Sequence, residues 1–294
     1  MKKMKNIIKR DWCSWILLLP SLFLFIFMVW QPLISTIGLS FYETKGFEAV
    51  KFIGLENYKV VLSNSGFIKT LQNTFLYVFW SLVIGYLAPI IIAVFLNEMV
   101  HMKSVFRFCF YFPIMIPSMA TSLLWRFIFN PGEGGILNQI LMFFGASPCQ
   151  WLQNSRMTIP LIIATMTWRS FGSTMLIYLA SLQGINRELY EAAGMDGASF
   201  FQKIRYIQFP ALKNLMGLML IKQIIGVFQI MQEPLAMTGG GPNNASMSLM
   251  LSSYNYGFTY FQIGRSTAVG TITFLILAVF TVVYQLMSRK GGEA

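Results

Sequence analysis

The chain has 294 residues, of which 55% are hydrophobic and only 11% are charged, and its formal net charge is +11. A soluble domain usually carries charge on about a quarter of its positions, so this composition excludes an ordinary water-soluble fold. The apolar residues fall in long runs, and a helix needs roughly 18 or more such residues to cross a hydrocarbon core about 30 Å thick. We therefore expect an all-α, polytopic membrane protein.

Six runs meet this length requirement, which predicts about six transmembrane helices. Their approximate limits are 12–36, 70–96, 106–129, 158–182, 212–231 and 266–287. A cytoplasmic segment 1–11 precedes the membrane domain 12–290, and a cytoplasmic tail 291–294 follows it. The first run is too long for a cleavable signal peptide and ends in Trp30-Gln31-Pro32, so we expect it to remain as a span.

The basic residues are distributed unevenly around these runs. Five precede the first run, and if they lie in the cytoplasm, the alternation of six spans puts thirteen lysines and arginines inside and five outside. An excess of Lys and Arg in cytoplasmic loops is the usual orientation signal of membrane proteins. Both termini are therefore predicted to be cytoplasmic, and the positive charge reflects topology rather than nucleic-acid binding.

Residues that build catalytic or metal sites are scarce. His101 is the only histidine, and Cys13, Cys109 and Cys149 have no metal-ligand spacing. An intramembrane enzyme needs a nucleophile with its base, or a metal cluster. We therefore expect no catalytic residue and no metal or cofactor site on this chain.

One long polar loop, residues 183–210, lies on the predicted inner side. Asn186 is suited to cap a short amphipathic helix that ends near Met195, Gly197 breaks it, and Ser199 is suited to start a second helix. Two short helices with a glycine hinge fit a groove on another protein, whereas a loop that only connected spans would be shorter. The loop is the predicted partner-binding region.

The same loop contains the pattern Glu-Ala-Ala, three residues, Gly, nine residues, Ile, two residues, Pro. The residues in and beside this pattern are Glu191, Ala192, Ala193, Asp196, Gly197, Ala198, Ile207 and Pro210. The pattern resembles the coupling motif of permeases from bacterial ABC importers. Other stretches resemble the sugar-importing branch, including Phe112-Pro113 and the external turn Thr238-Gly239-Gly240-Gly241-Pro242. Asn186 and Phe209 differ from the residues common in that branch, and we interpret them as family variation.

This resemblance implies a type I ABC importer permease fold in a bacterial plasma membrane, surrounded by lipid. It implies a heterodimer with a second permease, two ATP-binding cassette subunits and an extracellular sugar-binding protein. ATP and Mg²⁺ would bind to the ATPase partners, because this chain lacks the Gly-x-x-x-x-Gly-Lys-Ser/Thr phosphate loop. The predicted function is to form half of the pathway for a mono- or oligosaccharide. The alternative is glycerol 3-phosphate, or another polyol or sugar phosphate.

Candidate pathway residues also come from the resemblance, since the third, fourth and fifth spans line the sugar site of described relatives. The matching positions are Ser118, Met166, Arg169, Ser170, Ser173, Gln223, Val227 and Ile230, and Trp168, Gln229 and Gln232 are neighbours on the same segments. Each has a structural alternative. Serines in spans often bond only to their own helix, and glutamines bond across helix interfaces.

Lys222 stands about twelve residues into the fifth predicted span. A charge near the bilayer centre costs at least a few kcal/mol, so it is a functional candidate. It would contact the substrate, pair with a carboxylate of the partner permease, or face a wet cavity. A secondary transporter explains the spans less well, because no internal repeat is found and such a protein needs no coupling loop.

Overall fold

A computed structural model describes residues 12–291 of the chain. The predicted segment 1–11 and the predicted tail beyond Gly291 lie outside the described residues. The described chain forms two compact units. One contains the residues up to Ser63 and Asn255–Ile272, and the other contains Asn64–Tyr254 and the residues from Thr273 onward.

The first unit begins with a continuous helical stretch of apolar residues. It comprises α1 (Trp12–Phe25), a π-helical turn (Ile26–Trp30) and α2 (Gln31–Leu39). Its large side chains are mostly exposed, as expected of a helix that faces lipid or a partner. The antiparallel hairpin β1 (Tyr42–Lys45) and β2 (Glu48–Phe52) follows, then α3 (Glu56–Ser63).

The second unit is built from helices. They are α4 (Ser65–Trp80), a π-helical turn (Ser81–Tyr86), α5 (Leu87–Glu98), α6 (Lys103–Tyr111), a 3-10 turn (Phe112–Met115), α7 (Ser118–Ile128), α8 (Ile136–Phe143), a 3-10 turn (Trp151–Gln153), α9 (Thr158–Gln183), α10 (Arg187–Met195), α11 (Phe200–Lys203), a π-helical turn (Ile204–Gln208), α12 (Phe209–Phe228), α13 (Gln232–Thr238) and α14 (Leu249–Tyr254). A further π-helical turn (Asn255–Thr259) and α15 (Ile263–Gly291) complete the described chain.

Helix α9 is the centre of the second unit. Its buried side chains contribute to two apolar clusters, one around Ile162 and Ile163 and one around Met175 and Leu179. Helix α6 approaches α9 closely at Gly172. A side chain there would not fit, because its Cβ would lie only 2.1 Å from the Phe110 carbonyl oxygen. Small residues allow helix backbones to approach in this way.

Four helical stretches are long and apolar enough to cross a membrane: Trp15–Leu39, Ser65–Glu98, Phe200–Phe228 and Ile263–Leu286. A fifth is added if the pair Lys103–Met115 and Ser118–Ile128, bent by 98°, forms one span. The predicted count of six spans is therefore not confirmed. Helix α9 has the length, with 26 residues, but serines, threonines and Arg169 make it less apolar.

The bend in the third predicted span coincides with two prolines. Pro113 lies in the 3-10 turn, and Pro117 directly precedes α7. Proline disfavours helical geometry in the residue before it, and Ile116 is indeed extended, with ψ 131°. The break leaves the Ile116 carbonyl available to a side chain.

Candidate functional site

A cavity of about 510 Å³ lies within the second unit. It is lined by residues of α5, α9, α12 and α13, the π-helical turn before α5, the segment between α12 and α13, and Met250 of α14. Helix α12 ends at Phe228 and α13 begins at Gln232, so the interruption between them contributes polar side chains to the wall. Interrupted helices with polar groups are typical of the binding sites of transporters.

The cavity brings together most of the predicted pathway residues. Those that line it are Arg169, Ser170, Ser173, Gln223, Gln229 and Gln232, with Met166, Val227 and Ile230. Ser118 is not among the lining residues that the structure describes, but its hydroxyl donates a hydrogen bond to the Gln232 side-chain oxygen. Trp168 packs edge-on against Trp125, with ring centroids 5.6 Å apart, and does not appear in the described lining.

The two serines in the cavity bond to their own helix. Ser170 Oγ donates to the Met166 carbonyl and Ser173 Oγ donates to the Ser170 carbonyl, each at 2.8 Å. A hydroxyl that donates its hydrogen locally retains lone pairs that accept from a ligand. These serines therefore offer acceptors and open space, while their own donor capacity is used within α9.

Arg169 is held in place by the broken span. Its Nε donates to the Ile116 carbonyl at 3.3 Å. The rest of the guanidinium provides further N–H donors to the cavity that it lines. The bend at Ile116 and Pro117 thus positions a cation on a different helix.

The sequence-based list did not include Glu233 or Tyr86, which also line the cavity. Burial raises the pKa of the Glu233 carboxyl above its usual value, whereas its own backbone amide and the Arg169 guanidinium act in the opposite direction. Glu233 comes two residues after the predicted end of the fifth span, a position that the span assignment treated as an external loop. The sequence does contain a signal for Glu233 as a site residue, because its carboxylate stands directly before Pro234 at the end of an apolar run.

Lys222 also lines this cavity. Its side chain is exposed, and it takes part in no salt bridge among the residues that the structure describes. Contact with the substrate and pairing with a carboxylate of the partner permease stay predictions for Lys222.

A larger cavity, of about 860 Å³, is formed by other segments of the second unit. Its walls include Arg126 of α7, together with Asn130, Pro131, Gly239 and Pro242 from two of the loops predicted to be external. Arg126 Nη1 donates to the Ala236 carbonyl at 3.3 Å and so connects α7 to α13. None of the predicted pathway residues is in the described lining of this larger cavity, so we assign no substrate role to it.

The inner loop has the helix, hinge and helix arrangement that its sequence indicates. Asn186 caps α10, since its side-chain oxygen accepts from the Glu188 amide at 3.1 Å. Gly197 has φ 73°, a left-handed conformation that favours glycine. Ser199 and Gln202 then form a capping box at the start of α11.

Most of the motif side chains are accessible. Glu191, Ala192, Asp196, Gly197 and Pro210 are exposed, and Ala193, Ala198 and Ile207 are partly buried. A glycine-hinged pair of helices with this much exposed surface has the form of a docking element.

Gln208 connects the loop to the end of α5. It is fully buried, and its Nε2 donates to Glu98 Oε1 at 2.7 Å. The Tyr190 phenol interacts with the side chains of Gln208 and Asn97. Burial raises the pKa of the Tyr190 phenol. The base of the loop is therefore a compact polar cluster.

Known proteins resemble this chain over nearly its whole length. The family model for the binding-protein-dependent transport system inner membrane component matches residues 85–290. The chain belongs to this family. It is therefore a multi-pass inner membrane component of a transport system and not an enzyme, as the sequence predicts.

Two relatives are named for sugars. The arabinooligosaccharides transport system permease protein AraP of Bacillus subtilis (strain 168) is 31% identical to this chain. The match covers 93% of this chain and 88% of that protein. The trehalose/maltose transport system permease protein MalF of Thermococcus litoralis is 30% identical to this chain. The match covers 94% of this chain and 93% of that protein.

Solved structures share the fold of the chain. A chain from a bacterial ABC transporter involved in the import of the acidic polysaccharide alginate has a TM-score of 0.85 at 24% identity, over 98% of this chain and 99% of that one. A second structure, of the alginate transporter in complex with an alginate pentasaccharide-bound periplasmic protein, has a TM-score of 0.84. The fold is that of an ABC importer permease.

Proposed function

We propose that this transport component is a permease subunit of an ATP-driven sugar importer and forms half of the pathway for an oligosaccharide. The observation that carries the proposal is the cavity lined by Ser170, Ser173, Gln223, Gln229 and Gln232, whose hydroxyl and amide groups suit a hydroxyl-rich ligand. The relatives are named for arabinooligosaccharides and for trehalose/maltose, which supports a sugar rather than glycerol 3-phosphate.

The assembly that we propose contains a second permease, two ATP-binding cassette subunits and an external sugar-binding protein. The accessible motif surface of α10 and Gly197 supports docking of an ATPase, which would supply ATP and Mg²⁺. The binding protein follows from the family, whose members act in binding-protein-dependent systems.

The substrate test is uptake by the assembled transporter in proteoliposomes. The panel contains arabinotriose, maltotriose, a monosaccharide and glycerol 3-phosphate. We expect ATP-dependent uptake of at least one neutral oligosaccharide and none of glycerol 3-phosphate. Uptake of glycerol 3-phosphate alone would reject the proposal.

The proposed topology has both termini and residues 183–210 in the cytoplasm. Reporters fused after Arg10, after Gln183 and after Lys290 should report cytoplasm, and one within 239–245 should report the outside. A cytoplasmic signal from 239–245 would mean that the number of spans before it is wrong.

The docking role of the loop is tested by Glu191→Lys. Glu191 is exposed, so reversal of its charge should leave insertion and folding intact while it disrupts docking on a basic groove. We expect uptake to fall at least tenfold and the ATPase to co-purify poorly, or to hydrolyse ATP without uptake. Glu133→Gln, an exposed change in the predicted external loop, is the control. Wild-type assembly and uptake in Glu191→Lys would contradict the docking role.

A further inference from the structure

Three charged side chains line the 510 Å³ cavity. Arg169 comes from α9, Lys222 from α12 and Glu233 from the first turn of α13. None of the three takes part in a salt bridge among the residues that the structure describes. Two cations and one carboxylate therefore face the same space without pairing, so their charges are available to a ligand or to water.

The carboxylate differs from the cations in how it is held. Arg169 is fixed to the Ile116 carbonyl, and Lys222 is exposed. Glu233 is partly buried at the start of α13; burial raises the pKa of its carboxyl, and its own backbone amide and the Arg169 guanidinium oppose that rise. The next residue, Pro234, is buried within α13.

The chemistry of Glu233 is distinct from that of the other lining groups. Amides and hydroxyls both donate and accept, whereas an ionised carboxylate only accepts. Glu233 is the one acidic residue in the described lining of the cavity. Hydrogen bonds from a hydroxyl to a carboxylate are roughly twice as strong as those between neutral groups. A second carboxylate in the same space would instead be repelled.

We propose that Glu233 is a specificity-determining residue, whose carboxylate accepts hydrogen bonds from hydroxyls of a neutral sugar and disfavours sugars that carry a carboxylate. The inference rests on the proposed function, because it assigns the 510 Å³ cavity to a sugar. It predicts that removal of the Glu233 charge raises the net charge of these three side chains from +1 to +2, which shifts the preference of the cavity toward an acidic sugar.

The test compares ligand binding by the purified permease–ATPase complex without its binding protein, so that only the membrane cavity selects. Calorimetric titrations with maltotriose, arabinotriose and trigalacturonate at millimolar concentration give the ratio of neutral to acidic affinity. We expect the ratio to fall at least tenfold in Glu233→Gln, with weaker binding of the neutral sugar and stronger binding of trigalacturonate.

Two control variants separate selectivity from folding. Glu233→Asp retains the charge and should keep the preference for neutral sugars, and Glu133→Gln removes an exposed acid outside the cavity and should match the wild type. A Glu233→Gln complex that assembles, binds a neutral sugar and keeps the wild-type ratio would overturn the role of Glu233 while leaving the proposed function intact. If the wild type binds neither neutral sugar and imports none, the proposed function fails, and the role of Glu233 fails with it.

Discussion

The inner loop and the 510 Å³ cavity differ in how their residues are brought together. The loop is local: α10, Gly197 and α11 follow one another within 183–210, and the motif side chains are mostly exposed. The cavity is non-local, since residues as far apart as Gly85 and Glu233 share one wall. The loop therefore depends on backbone conformation and on a partner, whereas the cavity depends on helix packing within the chain.

The largest effect is expected at the hinge of the loop. A Cβ on Gly197 would meet no atom within 4 Å, so a substitution is penalised by the positive φ of 73° rather than by crowding within the chain. That penalty is roughly 1 kcal/mol or more, and it is greatest for β-branched residues. We expect Gly197→Val to reduce uptake at least tenfold in the reconstituted transporter, with normal membrane insertion.

Gly197→Asn and Gly194→Ala are matched controls for this hinge. Asparagine tolerates the left-handed region better than other residues with a side chain, and Gly194 lies within α10 with open space around it. Both should retain most of the uptake. Equal loss in Gly197→Val and Gly197→Asn would show that side-chain bulk at the ATPase surface, and not backbone conformation, limits this position.

An intermediate and pH-dependent effect is expected where the loop meets α5. Gln208→Glu would place a second carboxylate beside Glu98, and two carboxylates at hydrogen-bond distance share one proton. While the shared proton is present, the hydrogen bond between position 208 and Glu98 is kept. Once the proton is lost as pH rises, the two carboxylates repel each other. We expect uptake to be nearer the wild-type level at acidic pH and to fall about fivefold once the shared proton has left, measured relative to the wild type at each pH.

Gln202→Glu is the control for the added charge, because Gln202 is exposed and a glutamate also completes the capping box with Ser199. Its pH profile should follow that of the wild type. A flat profile for Gln208→Glu would mean that the bond to Glu98 contributes little to transport.

The smallest effects are expected from hydroxyl removal in the cavity. Ser170 and Ser173 each bond to a carbonyl of α9, so alanine removes only an acceptor, and we expect uptake within about twofold of the wild type. Leucine at both positions fills cavity volume and should reduce uptake severalfold while the complex still assembles. Adding Gln223→Leu should reduce it further. Normal uptake in the triple leucine variant would exclude these residues from the pathway.

Apolar runs and motif spacing are enough to determine the class of the molecule. The composition indicates a helical membrane protein, and the spacing from Glu191 to Pro210 indicates its family, because both signals lie in contiguous stretches of sequence. The hinge at Gly197 is predictable for the same reason: a glycine between two short helices is a local backbone feature. The family and the fold are confirmed by the comparisons.

Tertiary structure alone decided which polar side chains share a cavity. Nine of the eleven predicted pathway residues line it, but Trp168 packs on Trp125 and Ser118 acts through Gln232, since the direction of a side chain depends on the helix rotation that packing imposes. Glu233 was missed because an apolar run ends before it, and only the break between α12 and α13 returns it to the wall. The bond between Gln208 and Glu98 joins residues 110 positions apart, a separation that local periodicity does not encode.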